Sequence, residues 1–388
     1  MAWTREQECV FRLIRKALLD PQVNIPTDCD WERVFAEVEA QRLSPLLLGA
    51  LPETAPEAVR ARWENVAMAH AAHTMALLYE QEQVTRCLET AHIPYAILKG
   101  SAAAVYYPQP DCRTMGDIDV LVSPEWFENA LELLTSLGYV RGGSEREGVR
   151  HVSLQRNGVE LELHRRFSYD ALDFERYLLD ALPRAERAEI NGDSFAMLPR
   201  LANGLVLLGH IWEHLNSMLG LRQILDWMMY LNACMDRTFW EEEFCPVARE
   251  LGLEKLAVTL TRLCERYFGL EQRFLPPDGE SDALCERLLR KMLDDGNFGE
   301  KRRGSQNTET VTVLMRQQGL FPYLQAAGLR HWEAARRHAL LRPFAWLYQA
   351  FRLPVLWLRQ RRSPDQLRSD MGRARHDAAL LQELGIKR

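Results

Sequence analysis

Lysine is scarce in this chain: of 48 basic residues only 6 are lysine and 42 are arginine. A lysine inside a motif therefore stands out. Closely spaced cysteines are missing altogether. The eight present (9, 29, 87, 112, 234, 245, 264 and 285) never come nearer than 11 positions to one another. Without a CxxC pair, zinc ribbons and thioredoxin-like redox sites are excluded. Scattered thiols of this kind read as reduced core cysteines of a cytoplasmic protein. Met1–Glu8 is polar, with none of the apolar stretch of a signal peptide behind it. Also missing is an apolar run of about 18 residues, the length that spans a membrane. The nearest approach, Phe344–Leu358, is interrupted by Gln349, Arg352 and Pro354. No internal repeat is evident either, which excludes solenoids and propellers.

What is present is an ordinary globular composition: 388 residues, 47% hydrophobic and 26% charged. That length suits two or three domains whose cores need no disulfides or metals. A net charge of −6 gives no electrostatic reason to expect a nucleic-acid partner. The charge is unevenly spread. Leu320–Arg388 holds 13 basic against 5 acidic residues, leaving the remainder near −14.

Residues 1–91 read as an N-terminal helical region. Glu6–Leu19 has apolar residues at helical spacing, Asp30 is placed to cap a helix from Trp31, and Pro56 opens a long Ala-rich segment. Residues 92–199 read as an α+β core with a mixed sheet. Ile93–Leu98 and Asp117–Val122 are short apolar strands, and Pro124–Leu137 is a helix closed by Gly138. His151–Arg156 and Val159–His164 flank Asn157-Gly158, which predicts a type I′ hairpin. A similar Asn191-Gly192 precedes a strand at Ser194–Leu198. Residues 200–300 form a helical domain, and 301–388, helical from Thr308, a basic and aromatic-rich C-terminal region.

One stretch concentrates unusual chemistry: Lys99-Gly100-Ser101, Arg113, Gly116-Asp117-Ile118-Asp119, then Glu160, Glu162 and His164. Side chains alternate along a strand, so Asp117 and Asp119 share a face, about 6.6 Å apart at Cα, as do Glu160, Glu162 and His164. Neighbouring strands would gather three or more carboxylates, which resist joint ionisation without a counter-charge. Oxygen-only ligands select Mg²⁺ or Mn²⁺, and such ions also hold substrate phosphates. Gly100-Ser101, between strand and helix, is placed to cradle phosphate on backbone N–H groups, with Lys99 and Arg113 to neutralise charge.

These residues, together with Tyr106-Tyr107-Pro108, Met115 through Val122 and the segment His210–Asp226, resemble the uncharacterised nucleotidyltransferase family of the polymerase-β-like superfamily. The resemblance runs from about Trp31 to the Gly296-Asn297-Phe298-Gly299 turn. It implies a polymerase-β-like core and Mg²⁺-dependent transfer of a nucleoside monophosphate from an NTP, with ATP the expected donor. By that resemblance Asp117, Asp119 and Glu162 are the catalytic and metal-binding residues. Lys99, Gly100, Ser101, Arg113, Gly116 and His164 would contact the nucleotide. His164 stands where an acid would be expected. The acceptor would be a hydroxyl of a small molecule, peptide or protein. The competing readings are an inert scaffold of the same fold and a phosphotransferase using the same metal site.

Other motifs read as structural. His210 and His214 share a helical face, but Ile211 replaces the glutamate a zincin needs, so they are read as structural histidines. Arg222 and Asp226 are read as an internal ion pair. Aromatics interleaved with arginines over residues 330–362 suggest helices packed on the acidic body, with a membrane surface as the second reading and a nucleic-acid platform as the third.

Overall fold

The computed structural model describes residues 2–142, 150–167, 174–215, 219–275, 282–297, 301, 319–332, 334–335, 338–359, 377 and 379–385. Three short helices lead the chain: α1 (Arg5–Leu18), α2 (Trp31–Ala40) and α3 (Ser44–Leu48). Thr4 caps α1 through a full capping box with Gln7, and Asp30 accepts from the N–H groups of Glu32 and Arg33 to cap α2. Pro56 sits at the N-cap of α4 (Glu57–Thr90) rather than inside its first turn. No glycine or proline interrupts its 34 residues, so it runs for about 50 Å.

The sheet begins after α4. β1 (Tyr95–Leu98) leads through α5 (Gly100–Ala104) and a long loop to β2 (Ile118–Val122), α6 (Phe127–Ser136) and β3 (Val140–Arg141). The hairpin β4 (His151–Arg156) and β5 (Val159–His164) follows, then α7 (Phe174–Ala181) and a second hairpin, β6 (Glu186–Ile190) and β7 (Asp193–Met197). The strands form one sheet in the order β3-β4-β5-β2-β1-β7-β6. β2 runs parallel to β5 and β1 to β7, while the other pairs are antiparallel. The mixed α+β architecture expected of the core is present.

Both two-residue turns have the backbone that type I′ requires. Asn157 and Gly158 have φ of 52° and 80°, and Asn191 and Gly192 have 54° and 91°. Buried Glu80 of α4 ties down the first turn. Its carboxylate accepts from Asn157 Nδ2 at 2.7 Å, Arg156 Nε at 2.8 Å and Tyr139 Oη at 2.9 Å. The hairpin bearing Glu162 is thereby fixed to the longest helix.

Residue parity splits the sheet between two cores. Ile97, Ile118, Val120, Leu161 and Leu163 pack with α4 and α6. Ala96, Leu98 and Leu121 face the other way, into a larger apolar cluster shared with α1, α2, α8 (Arg200–His214) and α9 (Leu221–Cys234). Asp117, Asp119, Glu162 and His164 share the parity of that second face, so their side chains look toward the helices.

Later helices complete the body. α10 (Arg237–Phe239) runs through a π-turn at Trp240–Phe244 into α11 (Cys245–Glu250). α12 (Glu254–Leu263) ends in a second π-turn, and α13 (Asp282–Asp295) closes the group. α14 (Leu320–His331) and α15 (Ala345–Arg359) pack on each other. The helix expected from Thr308 lies outside the described residues as far as 318, as do 216–218, Phe298-Gly299, Arg336, Arg337, Arg361 and Arg362. No helix among the described residues is long and apolar enough to cross a membrane. The eight cysteines are free thiols, yet only Cys9, Cys245, Cys264 and Cys285 are buried. The other four are half-buried, because they lie on helix flanks and loops, which corrects the reading of all eight as core residues.

Candidate active site

The sheet register brings the acids together. β2 and β5 pair so that Asp119 lies beside Glu162. Asp117, two residues before Asp119, falls on the same face at the mouth of β2. One oxygen from each of Asp117, Asp119 and Glu162 lies within 4.8 Å of the others. Glu160 sits a further step along β5, exposed and outside the cleft, so Glu162 is the third carboxylate of this group.

Cations surround the acids. Lys99 follows β1, whose last residue pairs with Asp119, and its Nζ lies 2.7 Å from Asp119 Oδ1. His164 Nε2 reaches the same oxygen at 2.9 Å and Glu162 Oε2 at 3.2 Å. The backbone at Lys99 is unusual, with φ 48° and ψ −129°, and Gly100 follows at φ 22°. Two successive positive φ values turn the chain sharply from strand to helix and aim Lys99 back over the sheet; a β-branched residue would be strained there.

The electrostatics divide the two aspartates. Burial opposes ionisation of Asp119, but Lys99 and His164 more than offset it and hold the carboxyl well below its usual range. Lys99 and Arg222 act on Asp117 too weakly to do the same. Burial, then the neighbouring charges of Asp119 and Glu162, push it up to about 6. Burial and the charge of Asp119 oppose ionisation of Glu162, but His164 and Lys99 together hold it below its usual range. Burial opposes the charge on Lys99, but Asp119, Asp117 and Glu162 outweigh it and raise its pKa. An acid pushed up by two like neighbours marks a site short of positive charge. The all-oxygen set Asp117, Asp119 and Glu162 fits a hard divalent cation there. Such an ion would supply charge neutralisation and polarise a phosphoryl oxygen.

The acids line one wall of a cleft of about 380 Å³. The wall also includes Lys99, Gly100, Arg113, Gly116, Arg150 and His151, and α8 and α9 supply His210, Glu213, His214 and Arg222 opposite. Arg150 Nη1 donates to Glu213 Oε1 at 2.6 Å, joining the start of β4 to α8. The His210 and His214 rings meet edge to face at 4.6 Å. Burial, with Lys99 and Arg222 nearby, lowers the pKa of His214 to about 4 and that of His210 well below its usual range. Both are half-buried lining of the cleft.

Three further expectations change. Ser101 does not line the cleft; its hydroxyl donates to Gln81 Oε1 at 2.7 Å, because the turn at Gly100 rotates it toward α4. Only Gly100 of the Gly-Ser pair reaches the cleft. Arg113 does line it, but its guanidinium is committed to Asp226, Nε to Oδ1 at 3.0 Å and Nη2 to Oδ2 at 2.5 Å. The ion pair of Asp226 is therefore with Arg113, while Arg222 Nη1 donates to the Thr114 carbonyl at 2.8 Å.

Arg150, His151 and Glu213 were not singled out from the sequence. A signal for His151 existed. Counting outward from the Asn157-Gly158 turn pairs His151 with His164, as the strands do. For Glu213 the signal was weaker: it shares a face of α8 with His210, three residues earlier.

Among curated proteins none matches this chain. A solved structure, an antigenic nucleotidyltransferase-like protein from Paracoccidioides brasiliensis, is 18% identical, with 50% of this chain and 87% of that one covered at a TM-score of 0.31. The model of the uncharacterised nucleotidyltransferases matches residues 27–269, a span holding every strand and every residue named in the cleft. With more than half of its length matched in this way, the chain belongs to the uncharacterised nucleotidyltransferase family.

Proposed function

We propose that the protein is a Mg²⁺- or Mn²⁺-dependent nucleotidyltransferase that moves a nucleoside monophosphate from an NTP, ATP in the first instance, to a hydroxyl acceptor. The observation that carries this reading is the group Asp117, Asp119 and Glu162, gathered within 4.8 Å on one wall of a charged cleft. Asp117 and Asp119 would hold the cation, with Glu162 as third ligand or as base for the acceptor hydroxyl. Lys99, Gly100 and Gly116 would contact phosphate, with Arg113 and His164 holding their neighbours in place. An acidic body favours a small-molecule, peptide or protein acceptor over nucleic acid.

The test is label transfer. The full chain is incubated with Mg²⁺ or Mn²⁺, a cell extract as acceptor source, and ATP labelled at the α- or the γ-phosphate. The expected result is α-label on an acceptor, dependent on the cation. Transfer of the γ-label instead makes the protein a phosphotransferase, and no transfer of either favours a scaffold of the same fold.

The C-terminal helices support a separate proposal, contact with an anionic membrane surface through residues 330–362. Phe344, Tyr348, Phe351 and Val355 recur on one helical face and all are exposed, Phe351 at 74%. Ala345 and Gln349 are buried, while Trp346 and Ala350 pack on Tyr323, Leu324 and Ala327 of α14. Arg342 and Arg352 stand beside the exposed stripe, in a segment with the basic excess that acidic lipid would attract. Co-sedimentation should be seen with phosphatidylglycerol vesicles, weaken in salt, and fall at least about fivefold in Phe351→Glu. Equal binding to neutral vesicles, or none to either, would overturn it.

A further inference from the structure

The geometry points to a second cation position beside the carboxylate group, formed by His151, Glu162 and His164 and suited to a transition ion such as Mn²⁺, Co²⁺ or Zn²⁺ rather than Mg²⁺. One ligand atom from each of the three lies within 4.8 Å of the others. The two imidazoles flank Glu162, one at each oxygen. His164 Nε2 is 3.2 Å from Oε2, and His151 Nε2 is 3.5 Å from Oε1. Ligand atoms about 2.1 Å from a shared ion stand roughly 3.0–3.4 Å apart, so the two Glu162 contacts are near that spacing and the three groups would draw in slightly around an ion.

The hydrogen bonding of His164 adds an independent argument. Its Nδ1 faces the Arg166 carbonyl at 3.4 Å. A carbonyl only accepts, so Nδ1 carries the hydrogen. Nε2 then faces Asp119 Oδ1 and Glu162 Oε2, which are acceptors alone when ionised. Nε2 thus faces two carboxylate oxygens, the direction from which a shared cation would be held. A backbone carbonyl on the far ring nitrogen is also the usual support of a metal-ligating histidine. His151 is only loosely engaged: its contact with Glu162 is long, and its Nδ1 is buried with no hydrogen-bond partner.

Donor chemistry sets the preference. Asp117 and Asp119 offer oxygen alone, which suits Mg²⁺, whereas two imidazoles and a carboxylate favour borderline ions. Glu162 belongs to both groups and would bridge them. The inference rests on the proposed cation site only through that shared residue, and it does not require nucleotidyl transfer.

The experiment measures Mn²⁺ binding to the full chain by electron paramagnetic resonance, with and without excess Mg²⁺, at one fixed pH. The native chain should bind two Mn²⁺ and keep one against Mg²⁺. His151→Ala should lose the Mg²⁺-resistant ion, its affinity falling at least about tenfold, and keep the displaceable one. Asp117→Asn should do the reverse. Co²⁺ bound in the presence of Mg²⁺ should give a visible absorption band that shifts or vanishes in His151→Ala and in the gentler His151→Gln. Complete displacement of Mn²⁺ by Mg²⁺ in the native chain would overturn the inference, as would unchanged retention in both His151 variants. A protein that transfers no label yet retains the Mg²⁺-resistant ion would sink the proposed function and leave this site standing.

Discussion

Asp117→Asn should lower the proposed α-phosphate transfer by about 10³-fold or more, yet the metal-free variant should be more stable than the native chain at neutral pH. The loss would follow from removing a ligand of the proposed cation, which would stabilise transition-state charge by several kcal/mol, each 1.4 kcal/mol being about tenfold in rate. The gain in stability follows from the environment of the same carboxyl. Burial and the charges of Asp119 and Glu162 raise Asp117 from 3.8 to about 6. An unfolded chain gives up that proton near pH 4, whereas the folded chain keeps it until about pH 6. The native state therefore binds the extra proton between those values, and its stability falls as pH rises through them. The penalty is complete above pH 6 and absent below pH 4, and amounts to at most about 3 kcal/mol. Denaturant titrations in EDTA should show the variant ahead at pH 7.5 and level with the native chain near pH 4. Loss of activity accompanied by loss of stability would contradict this account.

Arg113→Met should be among the most damaging single changes to the fold, costing about 3–5 kcal/mol. Both members of the Arg113–Asp226 pair are almost wholly buried, and Asp226 also accepts from Tyr107 Oη at 2.8 Å. With the guanidinium gone, the buried Asp226 carboxylate loses two of its hydrogen bonds, leaving Tyr107 Oη and the more distant Arg222 beside it. The double variant Arg113→Met/Asp226→Leu should recover most of the lost stability, because an apolar pair of similar volume often replaces a buried ion pair without penalty. Thermal melts of the native chain and three variants, including Asp226→Leu, close the cycle. If Arg113→Met melts normally and only weakens NTP binding, the guanidinium is a phosphate ligand and the clamp is misread.

Much of the fold was legible because short-range chemistry dictates it. The asparagine–glycine pairs set both hairpins, alternation set the faces of β2 and β5, and Asp30 and Gly138 marked helix ends. Alternation also told which carboxylates share a side. It could not tell that β5 lies against β2, since strand order is decided by how the whole sheet packs between α4 and α8. The partner of Asp226 is 113 residues away and leaves no trace at helical spacing. His210 and His214 look alike in sequence whether they line a cleft or a core, and only the approach of α8 to the sheet decides. Ser101 was assigned by its neighbours' pattern, but a turn of the backbone at Gly100 sends its hydroxyl to Gln81.

The contact between Lys99 and Asp119 would make ion entry an exchange. At 2.7 Å the ammonium already occupies ground that an arriving ion would contest. It works as a tethered place-holder that lets the resting protein keep its acids side by side. Were an ion to take Asp119, the four-carbon arm of Lys99 would be free to turn toward a phosphate, so one side chain could serve both roles. Shortening that arm should therefore weaken the chain at rest as well as in turnover.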